Sequence, residues 1–147
     1  MKTRALVMAA VMALTAMAMT RVAQAQEAMV VNVPFDFVAG NQNLPAGEYA
    51  VKVSQTDARI LLIERKDATA SMFVGTNPVD ANKTQSESKL VFNRYGDRYF
   101  LSQVWNEGNS RGRQLMKTAR EKEIALTAKI ETEGQVTLVA ELPRTNR

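Results

Sequence analysis

The most versatile catalytic side chains are missing from this sequence. It contains neither histidine nor cysteine, so it lacks the usual general base near neutral pH, imidazole metal ligands and the Ser-His or Cys-His nucleophile pairs. Catalysis would have to use two carboxylates, a Ser/Lys or Tyr/Lys dyad, or a metal held by oxygen atoms. The sequence shows no Asp-x-Asp-x-Asp loop and no glycine-rich phosphate cradle. We therefore predict no catalytic residue, no metal site, no cofactor and no enzymatic activity.

The acidic residues have simpler structural interpretations. Asp97 follows Gly96 between two apolar segments, where Asp is expected for the backbone hydrogen bonds of a hairpin turn. Glu121 and Glu123 alternate with basic residues, a pattern typical of a solvated helix face with local ion pairs. Neither group predicts a reactive carboxylate.

One set of residues has the composition of a ligand site. Trp105 ends a predicted strand beside a polar loop, and with Arg94 and Tyr99 it could line the mouth of a pocket inside a β-barrel. The alternative is ordinary packing of Trp105 in the core or at its rim. Arg94, Tyr99 and Trp105 are thus the candidate ligand-binding residues.

A basic cluster near the middle of the C-terminal half suggests a nucleic-acid or anionic-surface partner. Its members are Arg111, Arg113, Lys117, Arg120 and Lys122. Acidic residues are interleaved with them, and the charge excess is mostly in the N-terminal segment. Without its three basic residues, 16 of the 19 Lys and Arg remain against 15 acids. With so little net charge, we expect no nucleic-acid partner.

The N-terminal segment is predicted to be a cleavable signal peptide, residues 1–25. It begins with basic residues, continues with an uncharged run from 5 to 19, and ends in Ala-Gln-Ala at 23–25. Cleavage would fall between Ala25 and Gln26. A retained membrane anchor is the rival interpretation, but fifteen apolar residues fall short of the roughly 20 that span a bilayer. We expect a periplasmic or secreted protein with no transmembrane segment after processing.

Residues 26–147 are predicted to form a single β-rich domain. A chain of this size can bury about two-thirds of its unfolded surface, and it must do so without disulfides because it has no cysteine. Period-two alternation or short apolar runs predict strands at 31–37, 49–53, 59–65, 70–74, 90–95, 99–105 and 135–142. Gly96-Asp97 predicts a hairpin, and 77–88 is predicted to be an exposed loop. Thr118-x-x-Glu121 predicts a capping box at the start of a helix reaching about Ala128, with a break near Lys122 into a strand as the alternative. The expected fold is an antiparallel β-barrel or β-sandwich of about seven to eight strands with this one short helix.

Three segments carry a resemblance to a known family. They are Val33-Pro-Phe-Asp-Phe-Val38 with Leu44-Pro-Ala-Gly-Glu-Tyr49, the segment from Val91 to Trp105 that contains RYGDRYFLSQVW, and Gly112-Arg113 with the charged stretch after it. They resemble a family of small exported proteins of unknown function from Acidobacteria and related soil bacteria. The resemblance implies a bacterial exported β-protein and adds no catalytic residue.

Three functions remain open at this point. The first is a non-enzymatic binding or interaction module with a protein partner or a small ligand. The second is a carrier of a small apolar ligand in a barrel cavity reached past Trp105. The third is a hydrolase, which would need two carboxylates about 5 to 9 Å apart.

Overall fold

The computed structural model describes residues 28–128 and 133–141, and most of these residues lie in β-strands. The predicted leader, with Ala25 and Gln26, and the end of the last predicted strand at Leu142 lie outside the described residues. The strands are β1 (Met29–Val33), β2 (Phe37–Ala39), β3 (Gln42–Leu44), β4 (Gly47–Val53), β5 (Ile60–Arg65), β6 (Ser71–Asp80), β7 (Lys89–Tyr95), β8 (Arg98–Trp105), β9 (Arg111–Leu115) and β10 (Glu133–Val139). The helix, α1, spans Ala119–Ala128. Among the described residues, the mainly β composition with one helix is as predicted.

The strands form one open, mixed sheet. Its pairings follow the order β1-β4-β5-β6-β9-β8, and β8 also pairs with β7, which pairs with β10. The short β2-β3 hairpin joins β8 through a parallel pairing at Val38 and Phe100. Ten strands therefore replace the predicted seven or eight, and one parallel pairing interrupts the antiparallel pattern.

The two ends of the main strand path approach each other. Val30 in β1 forms an isolated antiparallel bridge with Glu141, just after β10. The amide of Glu141 donates to the carbonyl of Val30 at 3.0 Å, and the amide of Ala140 donates to the carbonyl of Ser88 at 2.8 Å. The chain beyond β10 thus crosses from the start of β7 to β1.

Alternating apolar residues on these strands build one core. In β1, Met29, Val31 and Val33 are buried while Asn32 is exposed. The largest side chains that are almost fully buried include Tyr49, Phe92 and Leu61. Each such side chain contributes roughly 1.5–3 kcal/mol from removal of apolar surface from water. Phe37 packs edge-on against both Tyr49 and Phe92, with ring centroids 5.2 and 5.3 Å apart.

Two predicted boundaries are wrong for reasons visible in the strand pairing. The predicted strand 31–37 divides into β1 and β2 around the exposed Pro34, which cannot donate a ladder hydrogen bond. The predicted loop beginning at Asn77 instead starts as the last four residues of β6. These residues pair with β9, with Pro78 opposite Arg113, so a partner distant in sequence extends the strand.

The hairpin of β7 and β8 is confirmed, but it contains a bulge. Gly96 has φ of +63° at the turn, a conformation that glycine adopts without steric cost. Phe92 lies opposite Leu101 and Val91 opposite Gln103, which leaves Ser102 unpaired. The extra residue reverses the alternation of side chains beyond it. Leu101 and Val104 therefore share the main core, although simple alternation predicted opposite faces for them.

Candidate functional site

The three predicted ligand-binding residues do not lie together. Arg94 and Tyr99 are register partners near the hairpin turn, and the Arg94 guanidinium lies 5.7 Å from the Tyr99 ring centroid. Tyr99 stacks on Phe35 at a centroid distance of 3.8 Å. Trp105 lies opposite Lys89 at the other end of β8, roughly 20 Å away along the strand at about 3.3 Å per residue.

Trp105 is packed against backbone. Its side chain is 6% exposed, and its Nε1 donates to Oε1 of Gln103 at 3.0 Å. A Cβ built on Gly112 would fall 2.5 Å from the indole ring, so the ring lies directly on this glycine of β9. Trp105 thus packs on Gly112 of β9.

A large open cavity occupies the end of the sheet where β1, β5 and β9 begin and where β4, β6, β8 and β10 end. Its volume is about 1310 Å³, above the 300–1,000 Å³ typical of small-molecule sites. Its apolar lining includes Met29, Val51, Val53, Leu61, Val104, Val139 and Ala140. Four of these, Met29, Val51, Leu61 and Val104, are buried members of the main core, so the cavity has an apolar floor.

Charged side chains surround this floor. The cavity lining contains the bases Lys52, Arg111 and Arg113 and the acids Glu87, Glu107 and Glu141. The three acids are exposed, whereas Arg113 is half-buried. The arrangement of an apolar floor below a charged rim fits a ligand with an apolar part and a polar end.

A hydrogen-bonded cluster of polar side chains, the polar cluster, lies between α1 and β7. Glu121 is 5% exposed, and its Oε1 accepts hydrogen bonds from Nδ2 of Asn93 at 3.1 Å and from the hydroxyl of Tyr95 at 3.3 Å. Lys117 Nζ donates to the Tyr95 hydroxyl at 3.2 Å, and Gln135 Nε2 donates to Oδ1 of Asn93 at 3.4 Å. Glu121 therefore does not belong to the solvated helix face predicted for it.

Local structure explains how Glu121 reaches this position. The backbone amide of Glu121 donates to Thr118 Oγ1 at 3.2 Å, which confirms the predicted N-cap. In a capping box the glutamate side chain would turn back to the N-cap amide. Here it reaches Asn93 and Tyr95 instead and ties the helix to β7.

The polar cluster is a Tyr/Lys/Glu arrangement, but its tyrosine is not activated. Burial is the main cause that raises the pKa of Tyr95 above its ordinary value of 10.0, against the lowering effect of Lys117. A phenol with a raised pKa stays protonated near neutral pH and is a poor general base. Its hydroxyl donates to Glu121, so the geometry is that of a satisfied polar contact between helix and sheet.

Two signals in the sequence point to Glu121, although neither predicts its burial. One is its position three residues after the cap Thr118. The other is Asn93, a polar residue in the mostly apolar run of β7, since a buried amide needs a hydrogen-bonding partner. The pairing itself joins residues 28 positions apart and is visible only in the folded chain.

Neither a metal site nor a membrane-spanning helix is found in the part of the chain that the structure describes. No group of three or more His, Cys, Asp or Glu residues there is placed to hold a metal ion. None of the helices among those residues has the length and hydropathy needed to cross a bilayer. No family model, curated protein or solved structure matches the chain significantly. The fold and site define it as a mainly β protein with an open cavity at one end of its sheet.

Proposed function

We propose that this protein is an exported, non-enzymatic binding protein that carries a small molecule with an apolar part in its end cavity. The observation that carries the proposal is the cavity itself, to which seven strands contribute lining residues. The half-buried Val53 and the exposed Val139 in its lining favour an apolar ligand, because binding would remove their apolar surface from water.

We further propose that the open sheet curves into a barrel-like shape along the strand path from β1 to β10. The path passes through β4, β5, β6, β9, β8 and β7 and has eight members. Eight strands make an interior wide enough for side chains or one small ligand. The Val30–Glu141 bridge supports this curvature because it brings the two ends of the path together.

A carboxylate hydrolase is less well supported. Such a mechanism needs two carboxyl groups flanking the reacting bond. The polar cluster at α1 supplies Glu121 alone, and this carboxylate is already bonded to Asn93 and Tyr95. The rim acids of the end cavity are exposed to solvent, and they do not lie in the kind of water-excluding cleft that encloses a reacting bond.

Probe binding to two matched variants tests the carrier proposal. Val53 lines the cavity and is half-buried, and the equally half-buried Leu62 lies on the neighbouring strand. Leu61 pairs with Val53 and is in the core, so Leu62 projects from the other side of β5. Val53→Trp fills the cavity mouth, while Leu62→Trp adds the same bulk outside it.

We expect the neutral fluorophore N-phenylnaphthylamine to bind the native protein. Val53→Trp should weaken that binding at least about tenfold, equivalent to about 1.4 kcal/mol, and Leu62→Trp should leave it within about twofold. Circular dichroism checks that both variants fold. Absence of probe binding, or equal loss in the two variants, would show that the end cavity is not the ligand site.

A further inference from the structure

Arg113 is the half-buried basic side chain in the lining of the end cavity, whereas Lys52 and Arg111 are exposed. Arg113 lies two residues before Leu115 on β9, so both side chains project from the same side of the sheet. Leu115 is buried in the core, and Arg113 is half-buried and lines the cavity. Its Nη1 donates to the carbonyl of Ala58, in the loop before β5. The guanidinium therefore reaches past β6 to the loop before β5.

The charge of Arg113 has no acidic partner in the described part of the chain, unlike that of the other two bases in the lining. Arg111 pairs with Asp80 at 3.0 Å, and Lys52 lies 3.9 Å from a carboxylate oxygen of Glu64. Among residues 28–128 and 133–141, no carboxylate lies within 4.0 Å of the Arg113 guanidinium. A guanidinium has five N–H donors. In the described residues, the Arg113 guanidinium donates to one protein acceptor, the neutral carbonyl of Ala58.

From this geometry we propose that Arg113 binds the anionic head of the ligand, and that the ligand is a single apolar chain ending in a carboxylate. This inference rests on the proposed carrier function. A guanidinium binds a carboxylate through two parallel hydrogen bonds that an alcohol cannot reproduce. The accessible apolar side chains of the lining, Val53 and Val139, then contact the apolar chain. The exposed rim acids remain solvated and do not need to approach the head.

Competition with N-phenylnaphthylamine measures how much the ligand's head group contributes to affinity, separately from its apolar chain. Dodecanoate and dodecanol have the same apolar chain and differ in the charged end. Hydrogen bonds to charged groups contribute about 1.5–3 kcal/mol. The native protein should therefore prefer dodecanoate by at least about tenfold.

Three variants assign that preference to Arg113. Arg113→Gln should abolish it while leaving the affinity for dodecanol within about twofold. Arg113→Lys, which keeps the charge without the planar fork, should restore part of it. Arg111→Gln is the matched control, because Arg111 lines the same cavity but pairs with Asp80, and the preference should persist there.

Each outcome has a distinct meaning. Equal affinity of the native protein for the two ligands overturns the anionic-head inference and leaves the carrier function standing. A preference that survives in Arg113→Gln, or that Arg111→Gln abolishes equally, assigns the head group elsewhere and overturns it as well. If the probe does not bind at all, both the carrier function and this inference fail.

Discussion

Gly112 faces the flat side of Trp105, and the contact leaves no room for a methyl group. A Cβ on Gly112 would lie 2.5 Å from Cε3 and 2.6 Å from Cδ2 of the indole, whereas carbon atoms in contact prefer about 3.5–4.0 Å. In Gly112→Ala the indole or the backbone of β9 must therefore move. Overpacking of this kind costs about 1–3 kcal/mol of stability.

Gly75→Ala is the matched control. Gly75 also lies in a strand, and nothing lies within 4 Å of a Cβ built there. Neither glycine has a positive φ, so both substitutions gain the same order of stability, about 0.4–1 kcal/mol, from restricting the unfolded chain. The difference between the two variants then isolates the cost of the clash with Trp105.

Equilibrium urea unfolding followed by circular dichroism measures that difference. We expect Gly112→Ala to be less stable than Gly75→Ala by about 1–3 kcal/mol. Trp105 is the one tryptophan in the sequence, so its emission reports the displacement directly and should shift to longer wavelength in Gly112→Ala. Equal stability of the two variants, with unchanged emission, would refute the packing described here.

The remaining predictions concern the buried hydroxyl and carboxylate groups. Glu121→Ala should destabilise the fold by about 1–3 kcal/mol for each polar group left buried without a partner, while Glu121→Gln, which keeps an acceptor for Asn93 and Tyr95, should cost less in the same urea assay. Equal losses would mean that these hydrogen bonds do not hold α1 on the sheet. Burial raises the pKa of both Tyr49 and Tyr95 above 10.0, so their protonated forms favour the folded state. Their contribution to stability is present below about pH 10 and is lost as the pH rises through the raised values. Tyr95→Phe should reduce this alkaline loss of stability, and a loss identical to that of the native protein would contradict the assignment.

Local patterns in the sequence are sufficient for much of the β structure. The alternation of Tyr49, Val51 and Val53 predicts β4, and Gly96 with Asp97 predicts the turn between β7 and β8. Both signals depend on residues close in the chain: period two places side chains on one face, and glycine permits the φ that the turn requires. The same holds for the start of α1 at Thr118, where one side chain caps the helix.

Pairing between strands far apart in the chain determines which residues face the core and where some strands end, which local sequence patterns do not predict. The bulge at Ser102 reverses the faces of the residues that follow it, and this turns Val104 into the core. Pairing with β9 extends β6 through Pro78, although the composition there predicts a loop.

The sequence by itself determined the chemistry that is available: no histidine, no cysteine, and a strand-rich chain with one capped helix. Only the tertiary structure decided where that chemistry lies. It buries Glu121 against Asn93 and leaves Arg113 half-buried in the lining of the end cavity. The physical reason is that burial and the partners of a charge depend on strands far apart in the chain, whereas periodicity records only which neighbours share a face.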